Sequence, residues 1–280
     1  MVDRQHLLTS KQVAAFVADG YLRFDALVPD ELNQAAMREL DGGLKGAPAG
    51  TPLAQLYPAP SAIGQIIRMP QIQGIITSLV GQAPLFDHHA IHTRQANEAQ
   101  SQHLHADAVI DTAMHFDIQL MYYPHDIPLE MGGTVLVPGS HFRQINESDI
   151  GRYQNIRGQI PMVCKSGTLL ALHHGIWHCG RRNQTGRIRY MYKLRLNPTE
   201  RQLRLWNTDD LDDPEVARIL SRRHPWYEWA SGRLEIMQRS KLWRLLTGDE
   251  RYDTDYWLTR LENKLDRDLA SAPSMPTSAA

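Results

Sequence analysis

Cysteine is nearly missing from this chain: its 280 residues include two, Cys164 and Cys179. Two thiols cannot build a disulfide scaffold or an all-thiolate zinc site, and we read both as reduced. Long apolar runs are absent too, for no uncharged apolar run approaches the roughly 18 residues that a membrane-spanning helix requires. The opening stretch MVDRQHLLTSKQ carries an acid at Asp3 and no apolar core of a secretory signal, so the expected location is cytoplasmic. Charge of one sign is also lacking. Thirty Lys and Arg stand against 31 Asp and Glu, a net charge of -1, which gives no general attraction to nucleic acid or to an anionic membrane. With 42% hydrophobic and 22% charged residues, the composition is that of a globular chain, not a disordered one.

Histidine is plentiful and unevenly placed. Of 13, eleven lie between residues 88 and 178 (His88, His89, His92, His103, His105, His115, His125, His141, His173, His174 and His178), leaving His6 and His224 outside. Imidazole binds divalent metals well and fills an apolar core poorly, so this clustering points to a metal site in that third of the chain. One site uses two or three ligands, so most of these histidines must be surface or hydrogen-bonded residues.

The chain divides by texture. Residues 9–19, TSKQVAAFVAD, have a cap signal and apolar Val13, Phe16 and Val17 at helical spacing before Gly20, and read as a short helix. YLRFDAL suits a strand, and PDELNQAAMREL opens a second helix on acidic residues. Residues 42–63, rich in Gly, Pro, Ala and Ser, read as a loop with some local helix, either over a pocket or a plain surface connection. From about 85 to 196, short alternating segments separated by turn residues argue for antiparallel β structure. In HFDIQLMYY one face holds His115, Asp117, Gln119, Met121 and Tyr123 and the other Phe116, Ile118, Leu120 and Tyr122. RIRYMYKLRL opposes Arg187, Arg189, Met191, Lys193 and Arg195 to Ile188, Tyr190, Tyr192, Leu194 and Leu196. A barrel with a polar lumen and an apolar outside packed under helices accounts for both, with Arg195, near a strand end, in solvent. We expect a catalytic domain over 1–205, a Trp-rich helical extension over 206–269 and a disordered tail over 270–280. The extension holds Trp206, Trp226, Trp229, Trp243 and Trp257, in helical stretches around 213–223, 226–246 and 253–268, read as packing anchors or a subunit contact.

His105 and Asp107 lie two apart, so on an extended strand both project from one face and can share an ion. His115 and Asp117 repeat the spacing. Two imidazoles and one carboxylate on one face of an octahedron leave three positions open, the pattern of non-haem iron oxygenases. A third ligand is therefore needed downstream, where His173, His174 and His178 are on offer. Arg189, eleven residues after His178 on the polar face of its strand, presents a fork able to hold a carboxylate in bidentate fashion, as a dicarboxylate cosubstrate needs; its alternative is a surface cation.

The opening LTSKQVAAFVADGYL, HAD at 105–107, GGTVLVPGSH at 132–141 and WHCGRRNQTGRIRY at 177–190 occur in an order that resembles the phytanoyl-CoA dioxygenase family of iron(II)- and 2-oxoglutarate-dependent oxygenases. The resemblance spans roughly residues 9–197. It implies a double-stranded β-helix (a jelly-roll, cupin-like core), mainly β, with N-terminal helices and a C-terminal helical extension. It implies His105, Asp107 and His178 as ligands of Fe(II), and Arg189 as partner of the distal carboxylate of 2-oxoglutarate. Gln119 falls where family members often place a polar cosubstrate contact, and Thr134 is either another such contact or a β-branched strand residue. The implied reaction consumes O2 and 2-oxoglutarate, releases succinate and CO2, and most simply hydroxylates an unactivated C–H bond of a small molecule. Related halogenases lack the carboxylate ligand, so Asp107 favours hydroxylation, desaturation or cyclisation. The His115 and Asp117 pair has no ligand counterpart in the family and is set aside; Cys179 reads as a small buried thiol.

Two rivals stand beside this reading. A non-oxidative cupin could hold zinc or nickel on the same residues for isomerisation, hydrolysis or ligand sensing, but it leaves Arg189 unexplained. A structural jelly-roll whose Trp-rich helices bind a partner would make the metal motif incidental. Arg187 and Lys193 share a strand face with Arg189, and three buried cations beside one dicarboxylate would be costly. Some must be exposed, paired with acids such as Asp117 or Glu130, or touching an anionic substrate. The chain is expected to act on a small molecule as a monomer or homodimer.

Overall fold

A computed structural model describes residues 2–108, 115–143, 147–152, 155–228 and 232–254. Helix α1 (Ser10–Asp19) begins with a reciprocal cap: the Thr9 side chain accepts from the Gln12 N–H while the Gln12 side chain accepts from the Thr9 N–H. Its buried face is Val13, Ala14, Phe16 and Val17. Gly20 ends it with φ at 81°, a left-handed turn that a side chain would resist, and its N–H bonds back to the Phe16 carbonyl. A Cβ there would also lie 2.5 Å from Nδ1 of His141. The chain then enters strand β1 (Tyr21–Phe24) and helix α2 (Asp30–Asp41), whose first turn carries Asp30 and Glu31 against the positive end of the helix. Residues 42–61 are mostly irregular, with one turn of helix, α3 (Leu53–Leu56).

Two further helices, α4 (Ala62–Arg68) and α5 (Pro70–Val80), occupy a stretch that periodicity does not flag. The reason is burial. From Ile75 to Val80 every residue of α5 is buried, so no polar face alternates with the apolar one.

Strands β2 (Leu85–Arg94), β3 (Ile118–Tyr123), β4 (Thr134–Leu136), β5 (Ile160–Pro161), β6 (Thr168–His173), β7 (His178–Gly180) and β8 (Arg189–Asn197) follow, with a short helix α6 (Glu147–Ile150) between β4 and β5. They form two antiparallel sheets, ordered β1-β6-β3-β8-β2 and β5-β4-β7, the two layers of a jelly-roll core. The alternation of β3 and β8 sorts their side chains. Ile118, Leu120, Tyr122, Tyr192, Leu194 and Leu196 join the helices in one core, while Met121, Tyr123 and Met191 pack with Leu136, Met162, Leu170, Leu172 and Ile176 in another.

Arg195 departs from expectation. It is largely withdrawn from solvent and pairs with Asp117 (3.0 Å), just before β3, and with Asp87 (3.4 Å), which β2, on the sheet edge, carries past it at a bulge between Phe86 and His88. Residues after 205 dock on α1 through α7 (Pro214–Leu220) and α8 (Gly232–Thr247). Trp206 and Trp243 lie 5.8 Å apart between them, and Trp206 donates to the Ser10 hydroxyl. Trp226 and Tyr227 precede α8 and donate to the carbonyls of Pro138 and Gly139. Trp229, Trp257, nearly all of the third expected helix and the expected tail lie outside the described residues. No helix among the described residues is long and apolar enough to cross a membrane. Both cysteines are free thiols.

Candidate metal centre

The segment before Asp107 is held by β7. His105 and His178 exchange two backbone hydrogen bonds (3.0 and 2.8 Å), and Gln102 does the same with Gly180, its N–H donating to the glycine carbonyl and its side-chain oxygen accepting from the glycine N–H. This antiparallel pairing puts the two imidazoles on one side, with ring centroids 4.5 Å apart. Asp107, two residues on, projects to the same side. His105 Nε2 stands 3.6 Å and His178 Nε2 3.9 Å from the Asp107 carboxylate, and one ligand atom from each of the three lies within 4.8 Å of the others.

The imidazoles are oriented from behind. His105 Nδ1 is 2.8 Å from the His103 carbonyl and His178 Nδ1 is 3.0 Å from the Ile176 carbonyl, so each Nδ1 donates and each Nε2 turns a lone pair to the centre. Burial pushes His178 down to about 4, against the pull of Asp107, keeping it in the neutral form a metal needs. For Asp107 burial works toward protonation, but His178, Lys193, His105 and the nearby Gln119 amide outweigh it and hold the carboxyl at about 2. Two imidazoles and one carboxylate, converging on one point with His178 held neutral and Asp107 held ionised, fit a borderline divalent ion such as iron(II).

The cavity beside the triad encloses about 390 Å³ and is lined by His92, Arg94, Gln102, Met121, Thr134, Gly180, Arg189, Met191 and Lys193 together with His105 and His178. Arg189 is 3% exposed. Its Nη1 donates to the carbonyls of Met131, Gly132 and Arg181, while its buried Nε has no partner. Arg94 stands directly opposite it on β2. Both guanidinium groups reach Gly180, where a Cβ would lie 3.3 Å from Arg189 Nη2 and 3.4 Å from Arg94 Nη2, so the glycine makes room for them. Like charges face to face repel, and Glu98 offsets one of them through Arg94. Thr134 is buried at this end of the cavity and accepts a hydrogen bond from Tyr123 (2.8 Å). Gln119 is fully buried, opposite Arg195, with its amide near the Asp107 carboxylate, which it helps to hold ionised, but outside 3.5 Å hydrogen-bond distance.

The remaining histidine candidates go elsewhere. Asp117 pairs with Arg195 and His115 is exposed, so that pair does not converge. His173 and His174 stack at 4.8 Å, and His173 lies 4.7 Å from His141, whose Nε2 donates to the Val17 carbonyl of α1. Arg187 is exposed, whereas Lys193 is 9% exposed and reaches Asp107 at 3.4 Å. Arg94 and His92 were not singled out in the sequence. Their only available signal is the two-residue alternation of LFDHHAIHTR, which has no meaning until β2 is paired with β8.

Comparison with known proteins places the fold and the family. Residues 53–191 match the sequence profile described as phytanoyl-CoA dioxygenase (PhyH). Apo HygX from Streptomyces hygroscopicus has a similar fold, with TM-score 0.55, 17% identity, and coverage of 75% of this chain and 94% of that one. HygX with nickel and 2-oxoglutarate bound gives TM-score 0.54 at 16% identity, covering 75% and 93%. AviO1 from Streptomyces viridochromogenes Tue57 gives 0.52 at 15%, covering 71% and 96%. The comparison with curated proteins returned no match. The jelly-roll core, the triad and the matched profile together establish that the chain belongs to the phytanoyl-CoA dioxygenase family of iron(II)- and 2-oxoglutarate-dependent oxygenases.

Proposed function

We propose that this chain hydroxylates an unactivated C–H bond of a small molecule, using Fe(II), 2-oxoglutarate and O2 and releasing succinate and CO2. The observation that carries the reading is the convergence of His105, Asp107 and His178 at one wall of a cavity that also receives the buried Arg189. Iron(II) bound with 2-oxoglutarate supplies the oxidising chemistry through decarboxylation of the 2-oxo acid. The protein's own groups do the placing. His105 and His178 present Nε2 because their Nδ1 protons are committed to carbonyls, and Asp107 supplies the anionic ligand. Arg189 and Arg94 offer paired forks to the far carboxylate, with Thr134 beside them. Met121 and Met191 line the space between and help exclude water. A non-oxidative cupin would have no use for a buried arginine with an unpartnered Nε at that end of the cavity.

Structural neighbours extend the range of outcomes such a centre serves: SnoN is described as an epimerase and SnoK as a carbocyclase, and HygX has been solved with hygromycin B bound. Hydroxylation is separated from these by its product. The first test is anaerobic addition of iron(II) and then 2-oxoglutarate, following the weak visible band of the chelate. The band is expected to require 2-oxoglutarate and, in Arg189→Ala, to need about a hundredfold more of it. Tight zinc or nickel binding with no band would overturn the oxygenase reading, and succinate release without gain of one oxygen atom by the substrate would overturn hydroxylation.

A further inference from the structure

The backs of the metal-binding segments are as ordered as their fronts. His105, Asp107 and His178 turn to one side, and strand alternation sends their chain neighbours to the other. Leu104 and Ala106, flanking His105, and Trp177 and Cys179, flanking His178, all meet in one small core with Val137, Ile150 and Ile156. Each of the three ligands therefore has a neighbour anchored there. This core is separate from the two larger ones, and Trp226 packs against it. Among the described residues, Trp226 is its one contributor from beyond residue 205.

Trp226 reaches His178 by two routes. Its ring lies 5.6 Å from that of Trp177, with the planes 31° apart. Its indole N–H also donates to the Pro138 carbonyl (2.8 Å), in a turn that binds the Trp177 backbone on both sides. There the Ser140 hydroxyl accepts from the Trp177 N–H (2.8 Å), and the Val137 N–H donates to the Trp177 carbonyl (3.0 Å). The Trp177 N–H shares a planar peptide unit with the Ile176 carbonyl, which receives the His178 Nδ1 proton. The turn that Trp226 grips thus fixes the carbonyl that orients the His178 ring. Trp226 is held in its own right: the Arg143 guanidinium lies 4.8 Å over its ring and pairs with the buried Glu235 of α8. Its neighbour Tyr227 donates to the Gly139 carbonyl of the same turn (3.0 Å).

Resting on the assignment of His105, Asp107 and His178 as metal ligands, we propose that Trp226 is a positioning residue of the metal centre. Through Trp177 and the 137–140 turn it sets the angle at which His178 presents Nε2. Metal affinity then depends on the C-terminal extension as well as on the jelly-roll, because groups that orient a ligand tune its hold on the ion.

The test titrates the full metal-free chain with cobalt(II), whose visible bands report ligand geometry without any turnover. Trp226→Leu keeps an apolar side chain but removes the indole N–H and the flat ring, and Trp226→Phe restores the ring. Trp243→Phe, which changes the main core where Trp243 meets Trp206, is the control for general destabilisation. Cobalt(II) affinity is expected to fall about tenfold in Trp226→Leu, with altered bands, about threefold in Trp226→Phe, and less than about twofold in Trp243→Phe. Circular dichroism checks that each variant is folded. If Trp226→Leu does not fold, Trp226→Phe decides against the same control. Unchanged affinity and bands in the folded Trp226 variants, or an equal loss in Trp243→Phe, would overturn the proposal. Failure of the ligand assignment looks different: the wild-type chain would then bind cobalt(II) no more tightly than His105→Ala.

Discussion

At the scale of single residues, chemistry here depends on which atom of each side chain is left free. His105 and His178 spend Nδ1 on carbonyls, and what remains is a pair of Nε2 atoms facing one carboxylate. Arg189 spends Nη1 on three carbonyls, those of Met131, Gly132 and Arg181, and leaves the rest of its fork for an anion. Arg94 adds a second fork at the same place, so Arg94→Ala should raise the 2-oxoglutarate concentration needed for half of the visible band by about tenfold while leaving iron(II) affinity within a few-fold. The titration that tests Arg189 reads this too, and equal loss of metal binding would show that Arg94 holds the fold, not the cosubstrate. The HxD spacing occurs twice and three histidines follow it downstream, so His105, Asp107, His178 and Arg189 were legible because each has a place in the motifs that resemble the family. Arg94 has none.

At the scale of elements, the site depends on how three strands are tied. Asn183, buried in the turn between β7 and β8, donates from its amide to the carbonyls of Gln95 (3.0 Å) and Arg187 (2.6 Å), and its side-chain oxygen accepts from the Thr185 N–H and hydroxyl. It thereby fastens the end of β2 to the start of β8, where Arg94 and Arg189 stand. Replacing it by Ala removes these hydrogen bonds to part-buried groups, a cost of about 1–2 kcal/mol. Asn183→Ala should lower the denaturant midpoint and weaken 2-oxoglutarate binding more than metal binding; unchanged cosubstrate affinity would separate the turn from the site. The helix over 9–19 was readable because its cap and its apolar stripe agree. Helices α4 and α5 were not, since a helix buried nearly all round has no stripe.

At the scale of the whole molecule, the imidazoles of His173 and His174, stacked on each other, and of His141, tilted against His173, sit where α1 meets the large sheet, far from water. Burial pushes His141 down to about 3 and His173 well below its ordinary value. The unfolded chain takes up a proton near the ordinary value of about 6.5, while the folded chain resists until much lower pH. Stability is thus fully present above about pH 6.5 and falls as pH drops toward 3, by about 1.4 kcal/mol per pH unit for each such histidine. Denaturant unfolding of the metal-free protein between about pH 7.5 and 5 checks this, and a flat midpoint would contradict it. The same scale explains Arg195. Its place near a strand end suggested solvent, but the acids that hold it, Asp87 and Asp117, come from β2 and from the segment leading into β3.

The sequence by itself determined the class of the core, through two-residue alternation, and offered His105 with Asp107 as a pair two residues apart, while the rest of the metal-binding set came from the order of motifs that resembles the family. The alternation and the pair are local properties, set by how far apart two side chains fall on one strand. Only the tertiary structure decided which cations share the cavity and which acids they already hold. Arg94 meets Arg189 across a strand pair 95 residues apart in sequence, and Lys193 meets Asp107 across 86. Pairings of that range depend on sheet register, which no local pattern of residues records.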